Sequence, residues 1–479
     1  MNKITGLQLA FYDLRCRRNY KILEWHRRYG PVVCISPNEV SIASLEGTRA
    51  IYGATQGWAK SNYFDHFTGY GQRSVFATKP YQEHREKRRF TSAFYQASTI
   101  YKLPELERFV YDRCRAVLGN VERSDGEVDV YSLTDWYALD IITYLVFGRE
   151  HSTRSVDHAC PERVIFKSLK KLQFAGPCRV RFPIVFSWLS RPLGRWIPCL
   201  RFLLADDELA DWCQLRISEA MDDPFLCRSP SLLRQLLQQR CDRDGKLLDR
   251  TFVAAEVLDN INAAEATVAV TATYLIWLLS EHPYWQLKIR EELSALPLQS
   301  NNFVSFSDIN SRAPALEACL REAYRLYPAS SGRSERIVPK GGYEASGVLL
   351  PEGAIATSSV LSLHRDEEYF PDPEEFAPER WLGADASTHK AREARLVPFG
   401  YGGRICLGKA LATMEIKMLI AALYLEYKST VTASSTPESM SQCSTHDAVP
   451  WALECVIRFR RVQSKKADEG GGFEREGHA

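Results

Sequence analysis

Helical periodicity dominates the pattern of apolar and polar positions. Residues 251–281 are apolar-rich, contain neither Pro nor Gly, and end at His282-Pro283. They predict one long helix, much of it buried. Residues 314–326 predict a second helix. Pro314 suits a first turn, where no N–H is needed, and Pro328 stops it. A third is expected over 409–427, after a glycine, and a short, very basic one over 83–93. Strand signals are fewer. Residues 31–42 (PVVCISPNEVSI) alternate with turn residues, and 456–459 suggest a late strand. Residues 337–357 carry Gly341-Gly342, Gly347 and Pro351-Glu352-Gly353, which predict short strands joined by tight turns. The expected fold is mainly α with a small β part (α+β). With no internal repeat and no long linker, 1–461 are expected to form a single domain. The charged tail over 462–479 is expected to be disordered.

Composition narrows the class. The chain has 479 residues, 45% hydrophobic and 25% charged, with a net charge of +2, so nothing suggests a nucleic-acid partner. Its 13 cysteines are scattered from Cys16 to Cys455 without a C-x-x-C pair. They predict reduced, mostly buried thiols rather than a zinc or disulfide framework. The first twenty residues are interrupted by Lys3, Asp13, Arg15, Arg17 and Arg18. No signal peptide or transmembrane anchor is expected there, and no later run is expected to span a membrane. Segment 179–205 mixes Arg, Trp, Phe, Leu and Pro. It suits either a peripheral membrane contact or a buried helix pair.

The chemistry concentrates at 397–415, VPFGYGGRICLGKALATME. Phe399, Gly402, Arg404, Cys406 and Gly408 match F-x-x-G-x-R-x-C-x-G at every fixed position. Gly402 and Gly403 would let the backbone turn tightly and approach a flat cofactor. Cys406 lies just before a predicted helix, whose unpaired N–H groups and dipole favour a thiolate.

This stretch resembles the haem-binding loop of cytochrome P450s, and other segments match that family in order from about Tyr29 to Arg461. Glu322-Ala-Tyr-Arg325 is similar to its E-x-x-R pair, and Phe376-Ala-Pro-Glu-Arg380-Trp381 to its P-E-R-F/W segment. The resemblance implies a haem b whose iron is bound by Cys406, with Phe399 shielding the sulfur. A thiolate ligand pushes electron density onto the iron and favours O–O cleavage. Glu322, Arg325 and Arg380 would form a buried ion network behind the loop. Four residues are expected at the haem carboxylates: Arg404, Arg336, and the His84/Arg88 pair, spaced to share one helix face. His84 stands where the family has Trp.

The resemblance also places Thr267 on the family's threonine, above the oxygen-binding side of the haem. Thr267 and Glu265 are the catalytic candidates for proton delivery. Two departures are present: Ala264 replaces the family's glycine and Ala266 its acid. Glu265 could act only from a distorted helix, since neighbouring positions differ by about 100°. The pocket is expected from 63–73, the central helix near Asn262 and Ala263, 329–333 and 446–451. Its aromatic residues favour a small hydrophobic substrate.

The implied activity is monooxygenation, inserting one oxygen atom of O2, in fungal secondary metabolite biosynthesis. Electrons would come from NADPH through a separate flavoprotein, NADPH–cytochrome P450 reductase. The chain has no dinucleotide fingerprint of its own. The expected location is the endoplasmic reticulum surface, with the chain beginning after the point where an anchor helix would end. Two rivals are a haem-thiolate isomerase or dehydratase working without O2 and reductase, and a non-catalytic haem protein.

Overall fold

A computed structural model describes residues 4–53, 57–223, 230–241, 245–299 and 303–462. The expected tail from residue 463 onward lies outside the described residues.

The central helix runs Arg250–Glu281, starting one residue before its expected position. Asp249 caps it by accepting the N–H groups of Thr251 and Phe252, and His282 ends it before Pro283. From Val268 to Ser280 every residue is buried, because helices clad this half on all sides. The Val130–Phe147 helix packs along it, with Thr134 and Thr273 hydroxyls 3.0 Å apart. The helices Pro314–Leu326 and Lys409–Glu426 cover other sides. Among the described residues, the central helix is the one long and apolar enough to cross a membrane, contrary to expectation. Its apolar girth serves the core instead.

The 314–326 helix has its expected bounds. The helix after Gly408 stops one residue early, at Glu426. Tyr427–Val431 then forms a strand the sequence pattern hid, because it continues directly from an apolar helical run. This strand pairs antiparallel with Val456–Arg461, which pairs in turn with Glu127–Asp129. A second sheet orders its strands Val32–Ser36, Glu39–Ile42, Ile355–Ser358 and Arg336–Ile337. An isolated bridge joins Lys60 to Arg336 at its edge.

Segment 179–205 is not a buried pair. It forms the end of the Gly176–Arg181 helix, the helix Pro183–Trp196 and a 3-10 stretch Pro198–Leu204. Ile184, Trp188 and Trp196 are 74%, 78% and 84% exposed.

Candidate functional site

The cysteine loop is shaped by close contacts within the protein. The Cys406 N–H donates to the Phe399 carbonyl at 2.9 Å, closing the loop. Gly402 has φ +71°, and a Cβ there would lie 2.1 Å from the Tyr52 carbonyl oxygen. A Cβ on Gly403 would lie 2.3 Å from the Tyr81 hydroxyl. Gly402 is therefore required by a protein contact as well, whereas at Gly403 the nearest atom is the end of a side chain that can turn aside. Phe399 is half-buried, edge-on to Tyr324 at 5.1 Å.

Cys406 is accessible to solvent although it lies deep among protein groups. The Gly408 and Lys409 N–H groups at the helix start favour its thiolate, as do the charges of Arg88 and Lys409. Burial outweighs them and raises its pKa.

Behind the loop lies the buried network. Glu322 accepts from Arg325 at 2.9 and 2.7 Å, from Arg380 at 2.9 Å, from Trp381 Nε1 at 2.8 Å and from the Ala377 N–H at 3.1 Å. Glu322 and Arg325 are both fully buried. His364, which no sequence pattern marked, joins this network to the loop. Its Nε2 accepts the Val397 N–H, and its other nitrogen faces the Arg325 carbonyl.

Five basic side chains converge from four segments. His84 is buried on the inner face of the Tyr81–Ser92 helix and Arg88 half-buried, while Arg85 and Arg89 are exposed. Arg404 donates to the Thr78 and Lys79 carbonyls at 2.8 and 2.7 Å. Arg336 donates to the Ser334 and Glu335 carbonyls. The fifth, Lys60, was missed: a lone lysine outside any recognised motif gives no signal. Its buried ammonium sits 4.0 and 4.1 Å from the ring centres of Phe64 and Phe76. None of the five forms an ion pair among the described residues. Burial, followed by repulsion from Arg336 and then Arg88, pushes Arg404 down to about 9. Burial then Arg404, Lys60, Arg88 and Arg336 push His84 to about 2. Burial lowers Arg336 to about 10. Lys60 is held well below its ordinary value by burial, Arg336 and Arg404.

On the central helix the two catalytic candidates part company. Thr267 is partly accessible, and its hydroxyl donates to the Ala263 carbonyl at 2.9 Å. The helix is continuous through this region, so residues two apart point about 200° from each other. Glu265 accordingly turns into the protein, 3% exposed, with Oε1 buried and unpartnered. The distortion it needed is absent, and it does not join Thr267. A buried tyrosine links the two halves of the site. The Tyr95 hydroxyl donates to Asn260 Oδ1 at 2.7 Å, and Cys406 is close enough to help raise its pKa.

A cavity of about 360 Å³ lies along the central helix. Tyr63, Phe67, Tyr70 and Asn262 line it as expected, as do Gly332, Arg333, His446 and Asp447. Trp451 does not; it is half exposed and packs on Phe174. The wall also carries Asp13, Arg18 and Asp259, so it is more polar than the aromatic loop implied.

A family model described as "Cytochrome P450" matches residues 6–447. The chain belongs to the cytochrome P450 family. It is 35% identical over 462 residues to cytochrome P450 monooxygenase FGM1 of Gibberella zeae, covering 95% of this chain and 90% of that protein. It is 29% identical over 401 residues to cytochrome P450 monooxygenase orf2 of Aspergillus niger (82% and 77%). With cytochrome P450 monooxygenase BOT4 of Botryotinia fuckeliana it shares 26% over 479 residues (97% and 86%). The chain is thus an oxidoreductase, a haem-dependent monooxygenase.

The residues of this cytochrome P450 fit a haem. A haem brings two carboxylates at one edge, and Arg88, Arg336, Arg404 and Lys60, with the neutral imidazole of His84 beside them and no ion pair among the described residues, form a cluster of donors that would receive them. Two cluster nitrogens, Arg404 Nε and His84 Nδ1, are buried without a hydrogen-bond partner. Cys406 offers one accessible sulfur. A single cysteine sulfur is the ligand set of a haem-thiolate iron, whose equatorial ligands the macrocycle supplies.

Proposed function

We propose that residues 1–461 form one catalytic domain that inserts an oxygen atom of O2 into an organic small molecule of fungal secondary metabolism. The accessible Cys406 thiol beside five basic side chains, none of them in an ion pair among the described residues, is the observation that carries this reading. Cys406 would ligate the iron as thiolate, since a coordinating metal deprotonates a thiol that burial alone keeps neutral. Arg404, Arg336, Arg88, His84 and Lys60 would hold the haem carboxylates, and Phe399 would flank the sulfur. When bound, the haem supplies dioxygen activation.

The chain's own part is to bind, orient and move protons. Thr267 Oγ1 donates to the Ala263 carbonyl; turned away from that carbonyl, the hydroxyl would give its proton toward the oxygen-binding side of the haem site and take one from water in return. Glu265 has no place in this route. Electrons would come from NADPH through NADPH–cytochrome P450 reductase. The exposed apolar side chains of 182–197, with Arg191 and Arg195, would rest on the endoplasmic reticulum surface.

The reading is tested by reducing purified protein with dithionite and adding carbon monoxide. A strongly red-shifted Soret band is expected, and its loss in Cys406→Ala. A histidine-type band in the wild type counts against Cys406 ligation. Ala266 in place of an acid favours one rival, an isomerase or dehydratase. Product formed without any electron donor would select it.

A further inference from the structure

We propose that Asp259 selects the substrate. Its carboxylate would bind a hydrogen-bond donor (a hydroxyl, amide N–H or ammonium) at the polar end of an amphipathic molecule whose apolar end runs toward Thr267. This rests on the monooxygenase reading and adds the chemical class of the substrate.

Position is the first ground. Asp259, Ala263 and Thr267 are spaced four apart on an unbroken helix, so they share one face. Eight residues of helix separate Asp259 from Thr267 by about 12 Å. Asp259 lines the cavity and Thr267 lies farther along the same face. A molecule held at one end by Asp259 would therefore present its other end near Thr267.

The second ground is that other charges on the cavity wall are already engaged. Asp13 is bound by Arg181 and Arg333, with Arg18 at 3.8 Å. Asp206 pairs with Arg179, and Asp207 with Arg191. Asp447 accepts from Gln173. Asp259 lies near the Ser74 hydroxyl and has no ion pair among the described residues. Lys60 is the cation that acts on it, and that ammonium is engaged with the Phe76 carbonyl and two rings.

The third ground is chemical. A carboxylate offers about four acceptor sites, and the Ser74 hydroxyl can fill only one. Asp259 sits deep in the protein yet is partly accessible, so its remaining sites face the cavity. A site built to accept a hydrogen bond rejects a ligand without the donor, because its buried acceptor is left unpaired.

Binding can be read without turnover, from the Soret spin-state shift of haem-loaded protein titrated with decanol and with decyl methyl ether. The two probes share their apolar chain and an oxygen acceptor; only the alcohol donates. Decanol is expected to bind about tenfold tighter than the ether, the worth of one hydrogen bond to a charged acceptor. Asp259→Ala should bring that ratio to about one while leaving ether affinity unchanged. Asp259→Asn, which keeps an acceptor but loses the charge, should lower the ratio severalfold, and it carries the test if the alanine variant loads no haem. An alcohol that binds no tighter than the ether, or not at all, overturns the proposal. So does a ratio that survives both substitutions. Failure of the underlying reading shows separately, as a missing thiolate-type carbon monoxide band in the wild type.

Discussion

The imidazole Nε2 of His364 accepts the backbone N–H of Val397 at 3.0 Å. The accepting nitrogen carries no proton, so the other nitrogen carries it and donates to the Arg325 carbonyl at 3.2 Å. One neutral, fully buried ring thus ties the helix of the Glu322–Arg325 pair to the start of the cysteine loop. Burial, with the charges of Arg365 and Arg325, pushes its pKa down to about 3, from an ordinary 6.5. Between these values the unfolded chain binds a proton that the folded chain does not. Stability contributed by this ring is therefore complete above pH 6.5 and is lost as pH falls toward 3. Its share of the slope should be about 1.4 kcal/mol per pH unit. Denaturant unfolding of wild type and His364→Gln at several pH values measures it. Equal slopes in the two proteins would remove the assignment.

Gly402→Ala should disable the loop. Its left-handed backbone and the 2.1 Å approach to Tyr52 leave no room for a methyl group, and the nearest atom is backbone that cannot swing aside. Loss of roughly 1–3 kcal/mol is expected, with a lower haem content after purification. Gly400→Ala is the comparison: it shares a positive φ, but nothing lies within 4 Å of its Cβ, so it should retain more haem.

Lys60→Met should split two measurements. Without haem, the substitution removes a buried amine whose charge is disfavoured first by burial and then by Arg336 and Arg404, so the apoprotein should become more stable. With haem, a partner of the carboxylates is lost, and haem should leave roughly tenfold faster or more. Unfolding of the apoprotein and haem transfer to an acceptor globin read the two effects. Unchanged haem loss would exclude Lys60 from the carboxylate set.

Thr267→Ala should leave reductase-driven NADPH oxidation running while product per NADPH falls by roughly tenfold or more. The electron count is compared with product and peroxide yields. Glu265→Gln, on the opposite face of the helix, should leave that ratio unchanged, and a drop there would reverse the two assignments.

The exposed face of Pro183–Trp196 should govern attachment to lipid. Trp188→Ser with Trp196→Ser removes two largely exposed rings and should release the protein from phosphatidylcholine/phosphatidylserine vesicles in flotation. Equal flotation of both proteins would place membrane contact elsewhere.

Local spacing was enough to reveal the cysteine loop, the Glu322–Arg325 pair, the Phe376–Trp381 segment and the long central helix. Each is a short run whose residue types are dictated by one turn, one helix face or one periodicity, so the chain itself records it. Tertiary structure alone decided the rest. Lys60 reaches the cation cluster through a bridge to Arg336, 276 positions away, and His364 meets Val397 across 33. Asp259 differs from any helix aspartate only by the cavity beside it, and Glu265 is buried because the helix that carries it stays regular. The same apolar composition is buried in Val268 to Ser280 and exposed in Ile184, Trp188 and Trp196, because neighbours cover one helix and not the other. Side-chain burial and charge pairing depend on which distant segments arrive, and no local pattern encodes that arrival.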